Sequence, residues 1–297
     1  MPRGVPKNGY RMTAKRQRAA AFKNHVAINR HILVEAPAET IESDDEIKAK
    51  LAERFDILEM MTNAAVAGDA NALIVSGPAG LGKSYTVEQK LSEWDPNENN
   101  HTIIKGFVRA TGLYRALYQY REAGQVIVFD DADSIFFDDV ALNLLKAVCD
   151  TNEKRRVSWL TEGVMIDEES GEKLPRGFEF NGTVVFITNL DFDSMIAKGH
   201  KLAPHLQALM SRSHYIDLAM KTKRDYIVRI KQVVEAGLLK KSGLSDAQAN
   251  EVVDFIESNS DRMRELSLRM ALKLGAIRKI NAGNWTKVAK VTCCKNA

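Results

Sequence analysis

The stretch LIVSGPAGLGKSYTVE, residues 73–88, runs from a short apolar segment through a glycine-rich loop into a segment of helical composition. Its centre, GPAGLGKS at 77–84, has the spacing G-x-x-x-x-G-K-[ST], which gains physical meaning when a strand precedes it and a helix follows. Glycines at these positions let successive backbone N–H groups turn inward around phosphate oxygens, and the helix that follows adds its positive end. The expected binding segment is Gly77, Pro78, Ala79, Gly80, Leu81, Gly82, Lys83, Ser84 and Tyr85. Lys83 would reach the β- and γ-phosphates, and the Ser84 hydroxyl would sit on Mg²⁺.

On either side of this loop the chain alternates short runs rich in Val and Ile, at 72–76, 102–105, 126–129, 183–187 and 214–218, with stretches long enough for crossover helices. That alternation predicts a parallel sheet covered on both faces, an α/β fold up to about residue 218. Ahead of it, Ser43 and Glu46 have capping-box spacing, and Ile47, Leu51, Phe55 and Leu58 recur at helical spacing up to Gly68. Residues 157–182 break the alternation: two strand-like flanks around Ser170 and Gly171 predict a hairpin inserted before the fourth sheet strand. After Leu218 the strands stop. Segments 222–239, 245–258 and 262–277 read as successive helices, the second capped by Ser245 or Asp246, so the tail predicts a small helical bundle. The expected organisation is an N-terminal arm at 1–43, an α/β core at 44–218 and a helical lid at 219–297.

The composition is that of a globular chain. Of its 297 residues 45% are apolar, enough to bury a core, yet no run approaches the roughly 20 apolar residues of a membrane span. No apolar segment follows the basic start, so the expected location is the cytoplasm, and Cys149, Cys293 and Cys294 are expected as reduced thiols. The net charge of +3 hides an asymmetry. Arg3, Lys7, Arg11, Lys15, Arg16, Arg18, Lys23 and Arg30 precede the first acidic residue, Glu35, and leave the remainder mildly acidic. Clustered Lys and Arg suffice to neutralise phosphates, so DNA or RNA binding is one expectation for the arm. A solvated tail or a packing segment for a neighbouring subunit is the other.

VIVFDDADS, residues 126–134, places three aspartates at the end of a predicted strand. An acidic residue there holds Mg²⁺ in phosphate-loop ATPases, and Asp130 fits that role. Where a glutamate often polarises the attacking water, this chain has Asp131, whose carboxylate is shorter by one methylene, on the order of 1 Å. Three readings stay open: Asp131 is the base on a shifted backbone, Asp133 substitutes for it, or turnover is slow and the protein works as an ATP-dependent switch.

The phosphate loop, Asp130 and the segments after them resemble the AAA+ ATPases over residues 44 to the C-terminus. The resemblance implies ATP and Mg²⁺ as cofactors, hydrolysis to ADP and phosphate, and a homo-oligomeric ring or spiral, with six subunits the usual number. VVFITNL at 184–190 is similar to the sensor-1 strand, with Asn189 as its polar residue. ALMSRSHYIDL at 208–218 resembles the segment carrying an arginine finger, which makes Arg212 the candidate for action on a neighbour's site. RELSLRMALKL at 264–274 resembles a sensor-2 helix, with Arg269 the first choice and Arg264 the second. The loop, DDADSIFFDDVALNLLKA and a late GNWTKVAK are most similar to ATPases of tailed bacteriophages, in which the acidic pair is often two aspartates. The hairpin turn, with Asp167, Glu168, Glu169 and Glu172 against Lys173, argues against phosphate contact and leaves a protein client or a structural role. The activities considered are accordingly a DNA-associated ATPase of helicase or loader type, a remodeller of protein complexes, and a nucleotide-gated binding module.

Overall fold

The computed structural model describes residues 42–161, 163, 165–166, 171–220, 222–280 and 283–295. The basic arm and the acidic residues 167–169 of the hairpin turn lie outside them. Helix α1 (Asp44–Ala67) buries Ile47, Leu51, Phe55 and Leu58, the stripe expected from their spacing, and the chain leaves it at Gly68 with φ 83°. Strand β1 (Ala72–Ser76) leads through the glycine loop into α2 (Lys83–Trp94). There follow β2 (His101–Lys105), α3 (Ala110–Gln119) and β3 (Val126–Asp130), then a 3₁₀ turn at Asp133–Phe137 and α4 (Asp139–Val148). Two short strands, β4 (Arg156–Ser158) and β5 (Gly177–Glu179), precede β6 (Thr183–Thr188), α5 (Phe192–Ala197), α6 (Ala203–Met210) and β7 (His214–Asp217).

The main sheet has the order β2-β3-β6-β1-β7, and all of its pairings are parallel. Every residue of β1, β3 and β6 is buried, because helices cover both faces; this is why these strands read as continuous apolar runs rather than alternating ones. One face packs Phe129, Phe136, Phe186 and Phe192 against α3, α4 and α6, with the Phe129 and Phe186 rings stacked at 5.6 Å between centroids. The other face seats Leu73, Val75 and Val185 against Phe55 and Leu58 of α1 and Val87 and Leu91 of α2. The register brings Lys105 beside Asp130, Asp130 beside Ile187, and Ser76 beside Thr188. All of these lie at the carboxyl end of the sheet, where ligands of parallel α/β folds bind.

The expected hairpin is present as an antiparallel ribbon pairing Arg156 with Glu179, Val157 with Phe178 and Ser158 with Gly177. It is seated on α3: Phe178 meets Tyr114 and Tyr118 edge-on at 5.2 and 5.3 Å, and the Tyr114 hydroxyl donates to the Pro175 carbonyl at 2.8 Å.

Beyond β7 the chain is helical. α7 (Lys223–Glu235) is capped by Thr222 and ends before Gly237, whose φ of 98° turns the chain into the single turn α8 (Leu238–Lys241). α9 (Asp246–Ser258) begins at a capping box of Ser245 with Gln248, so Ser245 rather than Asp246 is the cap. α10 (Leu268–Ile280) starts six residues later than the sequence periodicity had suggested for the segment from Arg262. The cause is tertiary: the Arg264 N–H bonds to the Cys293 carbonyl and the Leu268 N–H to the Gly80 carbonyl, so 263–267 are held out of the helix between two partners. α11 (Trp285–Cys293) closes a third apolar cluster around Leu239, Val252, Phe255 and Leu274.

Candidate functional site

The glycine loop takes the backbone its composition allows. Gly80 and Gly82 have φ 73° and 102°, left-handed values that a side chain would strain. At Gly80 a Cβ would also lie 2.7 Å from the Ser267 Cβ, so the loop and the start of α10 meet with no room to spare. Lys83 is 5% exposed, and its ammonium donates to the carbonyls of Gly77 at 2.6 Å and Pro78 at 2.8 Å and to Asn189 Oδ1 at 2.9 Å. Burial lowers its pKa to about 8, against the opposing pull of Asp131 and Asp130. An ammonium in such surroundings is stabilised by an arriving anion.

Ser84 donates its hydroxyl to Asp130 Oδ1 at 2.8 Å. The other oxygen of that buried carboxylate lies 3.2 Å from Lys105 Nζ, which also pairs with Glu88 on α2. Among the described residues no cluster of three or more His, Cys, Asp or Glu side chains forms a protein-only metal cage. A hydroxyl beside a carboxylate does fit Mg²⁺, which is commonly held by one or two protein oxygens with phosphates and water completing its octahedron.

The adjacent aspartates differ in environment. Asp131 has φ 53°, fixed by its N–H bond to the Ile187 carbonyl at 3.0 Å as the ladder of β3 gives out. Aspartate and asparagine are the side-chain residues most at ease in that region. Here is a local reason for aspartate in place of glutamate. Its Oδ1 accepts from Asn189 Nδ2 at 2.7 Å, so Asn189 bridges Lys83 and Asp131. Asp133, in contrast, accepts the Thr188 hydroxyl, and burial raises its pKa.

A cavity of about 760 Å³ opens over the loop and is lined also by residues of α1 and of the C-terminal helices α7, α8 and α10. Ala79, Gly80, Gly82, Lys83, Ser84, Tyr85, Asp131, Asn189 and Arg269 line it; Asp133, Arg212 and Arg264 do not. Arg269, at the first turn of α10, is close enough for its charge to act on Lys83. Leu81 is 2% exposed and packs in the core, and the carbonyls of Gly77 and Pro78 accept from Lys83. Arg212 bonds to the Ala208 carbonyl at 2.8 Å at the end of α6, apart from this chain's own loop.

Sequence reading missed two residues here. Lys105 could have been found as the one charge ending the β2 run. Arg229, one of four cations in an amphipathic helix with Lys223, Arg224 and Lys231, carried no signal, yet it is buried, lies over the Phe55 ring at 3.5 Å and lines the cavity.

The sheet order and the strand–loop–helix with Lys83 and Ser84 at its turn define the class, a parallel α/β domain of the P-loop kind. No family model matches the chain. It belongs to one family with the uncharacterized 36.7 kDa protein of the nrdC-mobD intergenic region of Enterobacteria phage T4. The two are 39% identical over 253 residues, 84% of this chain and 77% of that protein. Solved structures with a similar chain course include the RuvB Holliday junction branch migration motor of Thermotoga maritima, at 16% identity and TM-score 0.43 over 84% of this chain and 69% of that one. Domain III of the Thermotoga maritima replication initiation protein DnaA matches at 12% and 0.45, over 81% and 92% of the two chains. NtrX from Brucella abortus in complex with ADP matches at 12% and 0.43, over 91% and 56%.

Proposed function

We propose that this protein is a Mg²⁺-dependent ATPase of the AAA+ type that works as a homo-oligomer in DNA transactions. The observation that carries the reading is the meeting of Lys83, Ser84, Asp131 and Asn189 at one end of the cavity, with Asp130 behind Ser84. The loop amides and Lys83 bind the triphosphate, Ser84 and Asp130 hold the metal, and Asp131, steadied by Asn189, orients water. The metal when bound neutralises charge on the β- and γ-oxygens. Arg269 reaches the same nucleotide from the lid formed by residues 219–297. Arg212, turned away from its own loop, serves the site of the next subunit in a ring or spiral, six subunits being the expected number.

DNA as the client rests on the basic arm, residues 1–31. The phage relative supports a place in the host cytoplasm, and no helix among the described residues is long and apolar enough to cross a membrane. The test is the ATPase rate measured against protein concentration, with and without DNA. The reading expects a steep rise with concentration and DNA stimulation lost on deleting residues 1–31. A Lys83→Ala variant that keeps full nucleotide affinity would overturn it.

A second reading, a remodeller of protein complexes, is favoured by the ribbon, which continues past β4 and β5 to a bridge between Ile166 and Lys173, with acidic residues between these two in the sequence. Neutralising residues 167–172 and losing a captured partner would support it over DNA.

A further inference from the structure

Arg229 is an unusual cation. Nine-tenths buried, it lies flat over Phe55 and bonds through Nη1 to Gln232 Oε1 at 2.9 Å, while its Nε has no hydrogen-bond partner among the described residues. None of the ion pairs formed among the described residues brings a carboxylate to it. Removal from water without a counter-charge is costly, and burial pulls its pKa down to about 10. Structural glue would not need this arrangement, since a residue of similar volume without charge would fill the place at less cost.

The cavity explains the position. Its lining holds Lys83, Asp131 and Asn189 together with Phe55, Arg229, Val233, Ala236 and Leu238, and also polar residues such as Asp56 and Gln232. Gly82 of the loop is a neighbour of both aromatic and cation: a Cβ there would be 3.9 Å from Arg229 Nη2 and 4.0 Å from Phe55. A nucleotide whose phosphates sit on the loop and whose base enters the same cavity would come within reach of Arg229. A guanidinium has only donors; Nε is sealed from the cavity, so the donor left for a ligand is Nη2, beside Gly82, which no hydrogen bond among the described residues uses. A purine supplies acceptors as ring nitrogens on a flat apolar body, which suits the surrounding Val233, Ala236 and Leu238.

We infer that Arg229 is a base-reading residue: with its guanidinium held by Phe55 and Gln232, it donates to an acceptor on the edge of the purine of a nucleotide bound to the loop. This rests on the proposal that the loop binds a nucleoside triphosphate. It adds a contact from α7 to the ligand at the point where Arg229 already rests on Phe55 of α1.

The experiment is calorimetric titration of the full chain, in the presence of Mg²⁺, with ATP and separately with inorganic tripolyphosphate. Wild type is compared with Arg229→Met, which keeps volume and removes the donors, and with Phe55→Leu, which leaves the guanidinium unsupported. Arg229→Met should lose about tenfold to a hundredfold in ATP affinity, the range expected for one charge-assisted hydrogen bond, and keep its tripolyphosphate affinity. Its thermal midpoint without nucleotide should be equal to or above that of wild type, because a buried unpaired charge has gone. Phe55→Leu should shift ATP affinity in the same direction, again sparing tripolyphosphate. Equal losses for both ligands would place Arg229 on the phosphates and overturn the inference. So would unchanged ATP affinity with a lowered midpoint, the mark of a packing role. Wild type binding neither ligand would refute the loop proposal itself, a separable failure.

Discussion

The Asn189 carboxamide donates to Asp131 at 2.7 Å and accepts from Lys83 at 2.9 Å, so the groups proposed to handle water and phosphate are tied through a single side chain. Replacing Asn189 by Ala would free both neighbours at once. Hydrolysis by Asn189→Ala should fall about 10²-fold, the scale of a misplaced catalytic group, with a smaller change in ATP affinity. Single-turnover rates beside equilibrium titration separate the two effects.

Asp131→Asn tests the water-orienting role with little disturbance of the backbone, since asparagine tolerates the φ of 53° as well as aspartate does. ATP affinity should hold while turnover drops about 10² to 10⁴-fold, the usual contribution of a general base. The complementary change, Asp131→Glu, puts a residue less suited to that backbone there and should cost about 1 kcal/mol in stability. Chemical denaturation would show it, and a Glu variant as stable as wild type would mean the φ does not govern the choice of residue.

Lys83 predicts a pH signature of the nucleotide-free protein. Its pKa is depressed from 10.5 to about 8, so between these values the unfolded chain binds more protons than the folded one, and stability contributed by this residue rises with pH across that window. Below about pH 8 both states carry the proton and the cost of the buried charge is present in full. The thermal midpoint of wild type should therefore climb relative to Lys83→Met between pH 8 and 10, and bound nucleotide should flatten the difference.

Gly80→Ala would meet two obstacles, a φ of 73° and the Ser267 Cβ at 2.7 Å. A loss of about 1–3 kcal/mol is expected from backbone strain with overpacking. Adding Ser267→Gly should restore the steric part and leave the strain, so the double-mutant cycle should give a coupling of at least about 0.5 kcal/mol. Purely additive effects would mean the two segments do not press on each other in solution.

Arg212 lies outside its own chain's cavity, and Arg212→Ala should leave ATP binding intact while lowering turnover by about 10³ to 10⁵-fold, the contribution of an arginine finger. Mixing Arg212→Ala with Lys83→Ala should recover part of the activity, because some interfaces then combine an intact loop with an intact finger. No recovery at any mixing ratio would speak against action across subunits.

The centre of the fold was legible because its constraints are local. A phosphate loop needs glycine at fixed positions, and strands buried on both faces show as Val/Ile runs whatever surrounds them, as at Ala72–Ser76 and Thr183–Thr188. The inserted ribbon and the Ser245 cap were readable for the same reason. What escaped was decided at a distance. Nothing near Leu268 announces that its N–H will bond to Gly80, so helical periodicity was extended back to Arg262. Nor does the register of α7 reveal that Arg229 will lie over a ring contributed by α1, 174 positions earlier in the chain (229 − 55). The left-handed turn at Asp131 sits between these cases: the sequence shows an unusual residue there, and only the neighbouring strand supplies the reason.

The bond from Leu268 to the Gly80 carbonyl, 2.8 Å long, is made entirely of main chain. A link of that kind does not depend on which side chain position 268 carries, whereas its other end is confined to glycine by the backbone and by Ser267. Only proline at 268, which removes the amide hydrogen, would delete it outright. The exposed surface of the C-terminal helices can therefore change without loosening their mechanical tie to the glycine loop.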